Sequence, residues 1–265
     1  MTIQNYPGSV VAQPWISGLL VSNDATTPNT KLNISAGICR DSNNIVDLTV
    51  GTTNTNFEGQ YVAAPLVLNA ATNGVNGLDQ GTLAVNSFYS VYVIGDSTYQ
   101  RTTACLLSLT TNSLPLMPTG YDSYRLVGYA VTNGSANFYV MQQIGVNNSR
   151  RFIYDSPFSV GTSSSTTYET FTISVGAILA VPVTENQYVS LYADYNANAA
   201  GNVFNASRTG NANQINVIAP VAGATAHTSI LFDIQPLIVG GLPSFEIKMT
   251  AGSTTVYVNS FEFFV

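Results

Sequence analysis

Charge is what this sequence has least of. Asp, Glu, Lys and Arg make up only 8% of the 265 residues, against a usual share of about 25%. Lysine occurs only as Lys31 and Lys248, and the net charge is −6. With no basic patch to neutralise phosphates, nucleic acid is excluded as a partner. The one basic pair, Arg150 and Arg151, is expected to serve a salt bridge or a linker. Histidine occurs once, at His227, so one chain cannot build a two-histidine metal site or a histidine-rich acid–base cluster. Cys39 and Cys105 permit one disulfide, but buried free thiols are the expectation. Long apolar runs are absent too: the stretch at 178–183 falls far short of the roughly 20 residues a helical span needs, so no membrane insertion is expected. Met1 is followed by neither a basic segment nor an apolar core, which leads to the expectation of cytoplasmic synthesis.

What is there instead is apolar, aromatic and neutral. Hydrophobic residues make up 45% of the chain, with 15 Tyr and 12 Phe. The surface must therefore be covered by Ser, Thr, Asn and Gln. Hydroxyls and amides pack against a neighbour or a sugar without the desolvation cost of an ion, so such a surface suits permanent assembly.

Short apolar segments separated by Gly, Asn and Pro run along the whole chain. Leu32, Ile34, Ala36 and Ile38 alternate with mostly polar neighbours at the period of a half-buried strand. The segment at 87–96 turns into a run apolar on both faces, as in the middle of a sheet. Asn133-Gly134 between two apolar segments marks the strongest hairpin signal. Residues 73–81 form a Gly/Asn-rich loop. The expected class is all-β, with two antiparallel β-sandwich-like domains. Residues 1–14 read as an extended arm, 15–149 as a first β module, and 150–265 as a second domain in which eight short strands favour a jelly roll. The last segment alternates so as to place Val256, Val258 and Phe264 inward, and its strand character argues against a missing carboxy-terminal domain.

A search for chemistry yields little. A triad of His227, Asp233 and a serine lacks any nucleophile elbow. Paired carboxylates for glycoside hydrolysis need two acids held in one groove, and Asp96, Asp122, Asp155, Asp194 and Glu185 are the candidates. On loops of a β protein such acids are ordinarily turn formers. Neither a phosphate-cradling motif nor a calcium loop is present, and no cofactor is expected. The one constellation kept as a binding site is aromatic: Tyr188, Tyr192, Tyr195, Asn196 and Asn198 supply rings and amides for a glycan, against the alternative that these rings are core or interface.

Four sequence blocks, at 15–24 (opening on Trp15, Ile16 and Ser17), 32–42, 76–94 and 116–128 (with Pro118, Gly120 and Tyr121), resemble in order and spacing a domain of bacteriophage tail fibre and related virion proteins, over about residues 15–143. The resemblance implies a β-rich virion module in a trimeric fibre, spike or capsid attachment. No fibrous or coiled-coil stretch accompanies it, which favours a compact spike, fibre head or capsid-bound protein. The second half has only the general look of a viral jelly roll. The expectation is a non-enzymatic virion protein that self-assembles, with a trimer preferred, contacts other virion proteins and binds a host surface glycan. Two alternatives are a capsid decoration protein and a polysaccharide-degrading tailspike.

Overall fold

The computed structural model describes residues 15–51, 61–62, 65–98, 101–109, 114–175, 178–179, 189–196, 202–208, 215–218, 227–234, 237–239 and 242–264. The expected arm at 1–14 lies outside them. Every regular element among the described residues is a strand. The first region carries β1 (Ile16–Gly18), β2 (Val21–Asn23), β3 (Lys31–Ile34), β4 (Gly37–Arg40), β5 (Asp47–Val50), β6 (Tyr61–Val62), β7 (Leu66–Asn69), β8 (Gly77–Leu78), β9 (Phe88–Gly95), β10 (Ala104–Leu109), β11 (Ser123–Val131) and β12 (Met141–Val146). The second carries β13 (Ser149–Ser163), β14 (Glu169–Thr172), β15 (Ser174–Val175), β16 (Ile178–Leu179), β17 (Val189–Asn196), β18 (Val203–Arg208), β19 (Ile215–Ile218), β20 (His227–Ile234), β21 (Leu237–Val239), β22 (Leu242–Met249) and β23 (Ser253–Phe264).

The chain is all-β, with mostly antiparallel sheets arranged roughly into two sandwich-like regions. In the first, a sheet ordered β1-β4-β5-β6 and another ordered β11-β9-β10-β8 face strands of an eight-stranded sheet, β20-β17-β23-β13-β12-β2-β3-β7. In the second, the β20-β17-β23-β13 half of that long sheet packs on β14-β22-β18-β19, where the Tyr195 and Phe204 rings meet at 5.9 Å. Alternation explains the packing. On β17, Leu191, Ala193 and Tyr195 are buried and the residues between them face outward. β9 and β10 are buried on both faces along most of their length, as the apolar run at 87–96 predicts for the former.

Three local features bear on the sequence reading. The segment from Trp15 to Val21 is two strands, because Gly18 and Leu19 take φ of 67° and 57° and turn the chain from one sheet into another. Leu19 is held in this costly left-handed conformation by complete burial and by its N–H, which donates to Ala36 O at 3.2 Å. The Asn133-Gly134 turn closes a minimal hairpin, with an antiparallel bridge between Thr132 and Phe138 and backbone bonds from Asn133 N–H to Asn137 O and from Tyr139 N–H to Val131 O, but the pairing extends no further. β11 stays with β9 while β12 joins β13 and β2, so the two arms diverge into different sheets. Asn133 also fixes the turn locally: its Oδ1 accepts the N–H groups of Ser135 and Asn137. Finally, the segment that reads as a junction near 150 is a two-residue turn, Asn147–Asn148, followed by the 15-residue β13. The expected division at 149/150 falls one residue into β13, beside this turn, and the eight-stranded sheet contains strands from both sides of it. Arg151 on β13 forms the anticipated salt bridge, to Glu262 at 2.6 Å. Cys39 and Cys105 are buried free thiols.

Gly18 has little latitude, since a Cβ there would stand 2.2 Å from Ala36 O in addition to the positive φ. Gly18→Ala is expected to destabilise the fold by about 2 kcal/mol or more and to lower Tm by roughly 5 °C. Circular dichroism melting checks this, with Gly51→Ala, whose Cβ meets nothing within 4 Å, as the neutral comparison.

Candidate functional site

The expected aromatic stretch falls on β17, and the strand period divides it. Tyr195 points inward: it is fully buried, its hydroxyl donates to Ala251 O at 2.7 Å, and burial raises its phenol above the ordinary value. It is a core residue, which removes it from the candidate glycan site. Tyr192, Asp194 and Asn196 take the opposite, outward face and are half-buried. Tyr188 and Asn198 lie outside the described residues.

The tertiary structure adds partners that are far away in sequence. In the antiparallel ladder with β23, Tyr192 is opposite Tyr257, Asp194 opposite Thr255, and Asn196 opposite Ser253. The rings of Tyr192 and Tyr257 stand 5.7 Å apart at 45°. The next strand, β13, places Thr162 opposite Thr255, with their hydroxyls 3.0 Å apart, and Ser159 opposite Tyr257. The outward face thus presents two tyrosine rings side by side, with one carboxylate and a pair of hydroxyls in the adjoining row. Tyr257 and Thr255 were missed as site residues although a signal existed: inward Val256 and Val258 imply outward neighbours. The same strand also shows where alternation fails. A register shift opposite Ser190 and Leu191 moves the buried set from Val256 and Val258 to Phe261 and Phe263. The Phe264 side chain lies outside those described.

The carboxylate candidates separate. Glu185 lies outside the described residues, Asp155 is exposed on β13, and Asp194 belongs to the tyrosine face. Asp96 and Asp122 do come together, at the end of the ladder where Gly95 is opposite Ser123. Asp122 N–H donates to Gly95 O, and the Asp122 carboxylate accepts Ser97 N–H at 2.7 Å, Ser97 Oγ and Ser123 Oγ. Asp96 accepts Thr98 N–H at 2.9 Å and Thr98 Oγ1. The Ser97 hydrogen bonds hold the Asp122 carboxyl below its ordinary range, against partial desolvation and the like charge of Asp96. Both acids therefore build the turn that closes β9 onto β11, a use that their oxygens already satisfy. Among the described residues no three His, Cys, Asp or Glu side chains gather as a metal site.

No known protein family matches the sequence, and no curated protein does. Among solved structures, the glycoside hydrolase BuGH86 with neoagarooctaose is similar both as wild type and as a single-residue variant, at 10% identity and a TM-score of 0.27, covering 93% of this chain and 34% of that one. The infectious bursal disease virus VP2 subviral particle follows at 10% identity and a TM-score of 0.24, covering 95% and 71%. A Bacillus thuringiensis Cry1Da core is similar at 8% and 0.18, covering 95% and 50%. The chain thus spans about a third of the length of the first two structures. The expectation of a non-enzymatic virion subunit is not upheld by these comparisons, in which a glycoside hydrolase stands ahead of the viral capsid protein. At TM-scores this low, none of the likenesses assigns an activity or a substrate to this chain.

Because the Asp122 carboxyl is depressed in the folded state, the stability it confers is full above the ordinary carboxylate value of about 3.9 and is lost as the pH falls through the lower folded value. Tm of the wild type is expected to exceed that of Asp122→Asn at neutral pH, and the gap to close on acidification below about pH 4. Melting curves across the acid range check this.

Proposed function

We propose that this chain binds a neutral polysaccharide through the outward face of β17 and β23. The cross-strand pair Tyr192–Tyr257, with centroids 5.7 Å apart on that face, carries the proposal. A pyranose presents an apolar C–H face on which an aromatic ring packs, and a rim of hydroxyls that carboxylate and hydroxyl side chains hydrogen-bond. Asp194, Thr255 and Thr162 supply that rim in the adjoining row. Charge selects among glycans. The outward positions 159, 162, 192, 194, 196, 253, 255 and 257 include Asp194 but no Lys or Arg, on a chain of net charge −6. Sulfated or uronic chains are disfavoured there, and neutral ones are not.

The strand order supports a jelly-roll reading of the second region. With β13, β14, β17, β18, β19, β20, β22 and β23 counted from one to eight, one sheet runs 6-3-8-1 and the other 2-7-4-5. That interleaving is what two nested Greek keys produce, and lectin domains are among the proteins that use it. As analogy at the level of fold it favours a binding face and assigns no ligand.

A second reading, in which bound polysaccharide is also cleaved, draws on the juxtaposition of Asp96 and Asp122. Glycoside hydrolysis asks for one carboxylate and one carboxylic acid, and Asp122, kept ionised by Ser97, fits the former role.

Calorimetric titration with a panel of soluble neutral polysaccharides tests the first reading. Tyr192→Ala and Tyr257→Ala are each expected to weaken binding about tenfold, roughly 1.4 kcal/mol. Tyr195→Phe is expected to leave binding intact while costing about 1 kcal/mol of stability through its lost bond to Ala251 O. Wild-type affinity in both alanine variants would end the proposal. Release of reducing ends, abolished by Asp122→Asn, is the outcome expected of the second reading.

A further inference from the structure

The sequence contains three Asn-Gly steps, at 73–74, 76–77 and 133–134. At such a step the glycine amide nitrogen stands one ring closure from the asparagine Cγ, and no Cβ on the glycine obstructs the approach. Attack needs a backbone N–H free to lose its proton and support for the negative charge that develops on Oδ1. The fold treats the three steps differently. Gly74 N–H donates to Leu78 O at 2.6 Å, and Gly77, which is buried, donates its N–H to Gly74 O at 2.9 Å. Attack at either would first break a backbone hydrogen bond. Gly134 is exposed, and its N–H donates to no group among the described residues.

The acceptor side is organised as well. Asn133 Oδ1 accepts the N–H groups of Ser135 at 2.9 Å and Asn137 at 3.1 Å. Two N–H donors require the amide oxygen, so the orientation of the group is set and Nδ2 is the atom left to depart. Donors at these distances polarise Cγ and stabilise the charge of a tetrahedral intermediate, as an oxyanion hole does. Asn76 Oδ1 has one backbone donor, Cys105 N–H at 3.0 Å, and the Asn73 side chain has none among the described residues. The turn around Asn133 is itself anchored: its N–H donates to Asn137 O, and its backbone carbonyl accepts the N–H groups of Asn86 and Ala136. The reacting side chain is thereby held in one arrangement.

We propose that Asn133 is a self-modification site, which converts spontaneously to an acidic residue in the folded protein ahead of Asn73 and Asn76. Gly134 N gives up its proton to solvent and bonds to Cγ. The Cγ–Nδ2 bond then breaks, and the amide nitrogen takes a proton from solvent and leaves as ammonia. One water opens the remaining cyclic imide at either of its carbonyls, giving aspartate or isoaspartate. Water is the only co-reactant, and one negative charge is added to a chain of net charge −6. Aspartate keeps an oxygen for the N–H groups of Ser135 and Asn137, whereas isoaspartate takes the carbonyl that accepts Asn86 and Ala136 out of the main chain. The turn lies between β11 and β12, away from the β17–β23 face, and the step is independent of glycan binding.

Peptide mapping by mass spectrometry of the full chain, aged in mildly alkaline buffer, tests this. Asn133 is expected to lose its amide about tenfold faster than Asn73 or Asn76, the factor to which one retained backbone hydrogen bond corresponds. In guanidinium chloride, where the three steps keep only their shared local chemistry, the rates are expected to converge. Gly134→Ala, whose Cβ would meet nothing nearer than Asn86 Oδ1 at 3.6 Å, is expected to keep the wild-type Tm and to slow conversion at Asn133 alone by about tenfold. Three equal rates in the folded chain, an Asn133 that stays an amide while Asn73 or Asn76 converts, or a preference for Asn133 that persists in denaturant overturns the proposal.

Discussion

The two regions are held together by one ladder, and the aromatic rings it carries are the core on which the rest of the structure leans. β13 pairs with β12 at its start and with β23 along most of its length. Phe152 on β13 and Phe261 on β23, opposite one another, stack at 4.8 Å and 13°. Around them stand Tyr154 and Phe158 from the same strand, and Phe88 and Tyr129 from the sheet across the core. A ring buried in this way contributes on the order of 2–3 kcal/mol by area and more by edge-to-face contact. This cluster joins strands separated by more than a hundred residues and ties the long sheet to the one across the core.

That constraint also places the surface chemistry. Pairing with β13 fixes the register of β23, and β23 in turn fixes β17, so Tyr257 lies opposite Tyr192. A slip of one residue in either ladder would send one ring inward and break the outward pair. The bulge near Asn259 shows how the strand serves both demands: before it, Val256 and Val258 fill the second region's core, and after it Phe261 and Phe263 reach into the aromatic cluster. The candidate binding face is therefore a product of core packing.

The low ionic content takes a different meaning in the tertiary structure. Composition suggests a surface made for permanent assembly, yet the few charges present are placed with purpose. Asp24 collects hydrogen bonds from Thr26 and Thr27 at the end of β2, and Asp122 does so from Ser97 at the end of β9. Arg125 and Arg150 sit in the interior, where burial disfavours their charged form. A chain poor in ions spends several of them inside the fold or in closing its turns.

Alternation and turn residues were enough to read the class from sequence. Apolar side chains at every second position specify strands, and Asn or Gly at positive φ, as at Gly74, Asn76 and Gly81, specifies the bends between them. The same rule made Tyr192 outward and Tyr195 inward, but it needed one fact the sequence does not contain, namely which parity faces the core. Strand partners were only partly legible: the Asn133-Gly134 turn closes a hairpin of a single bridge before its arms part into different sheets, and β13 looks like a boundary. Local residues determine whether a segment is extended and where it bends, because φ and ψ preferences and side-chain period act within a few residues. Which strands meet, which tyrosines become neighbours and which arginines are buried is decided by the packing of the whole core, since those contacts span most of the chain.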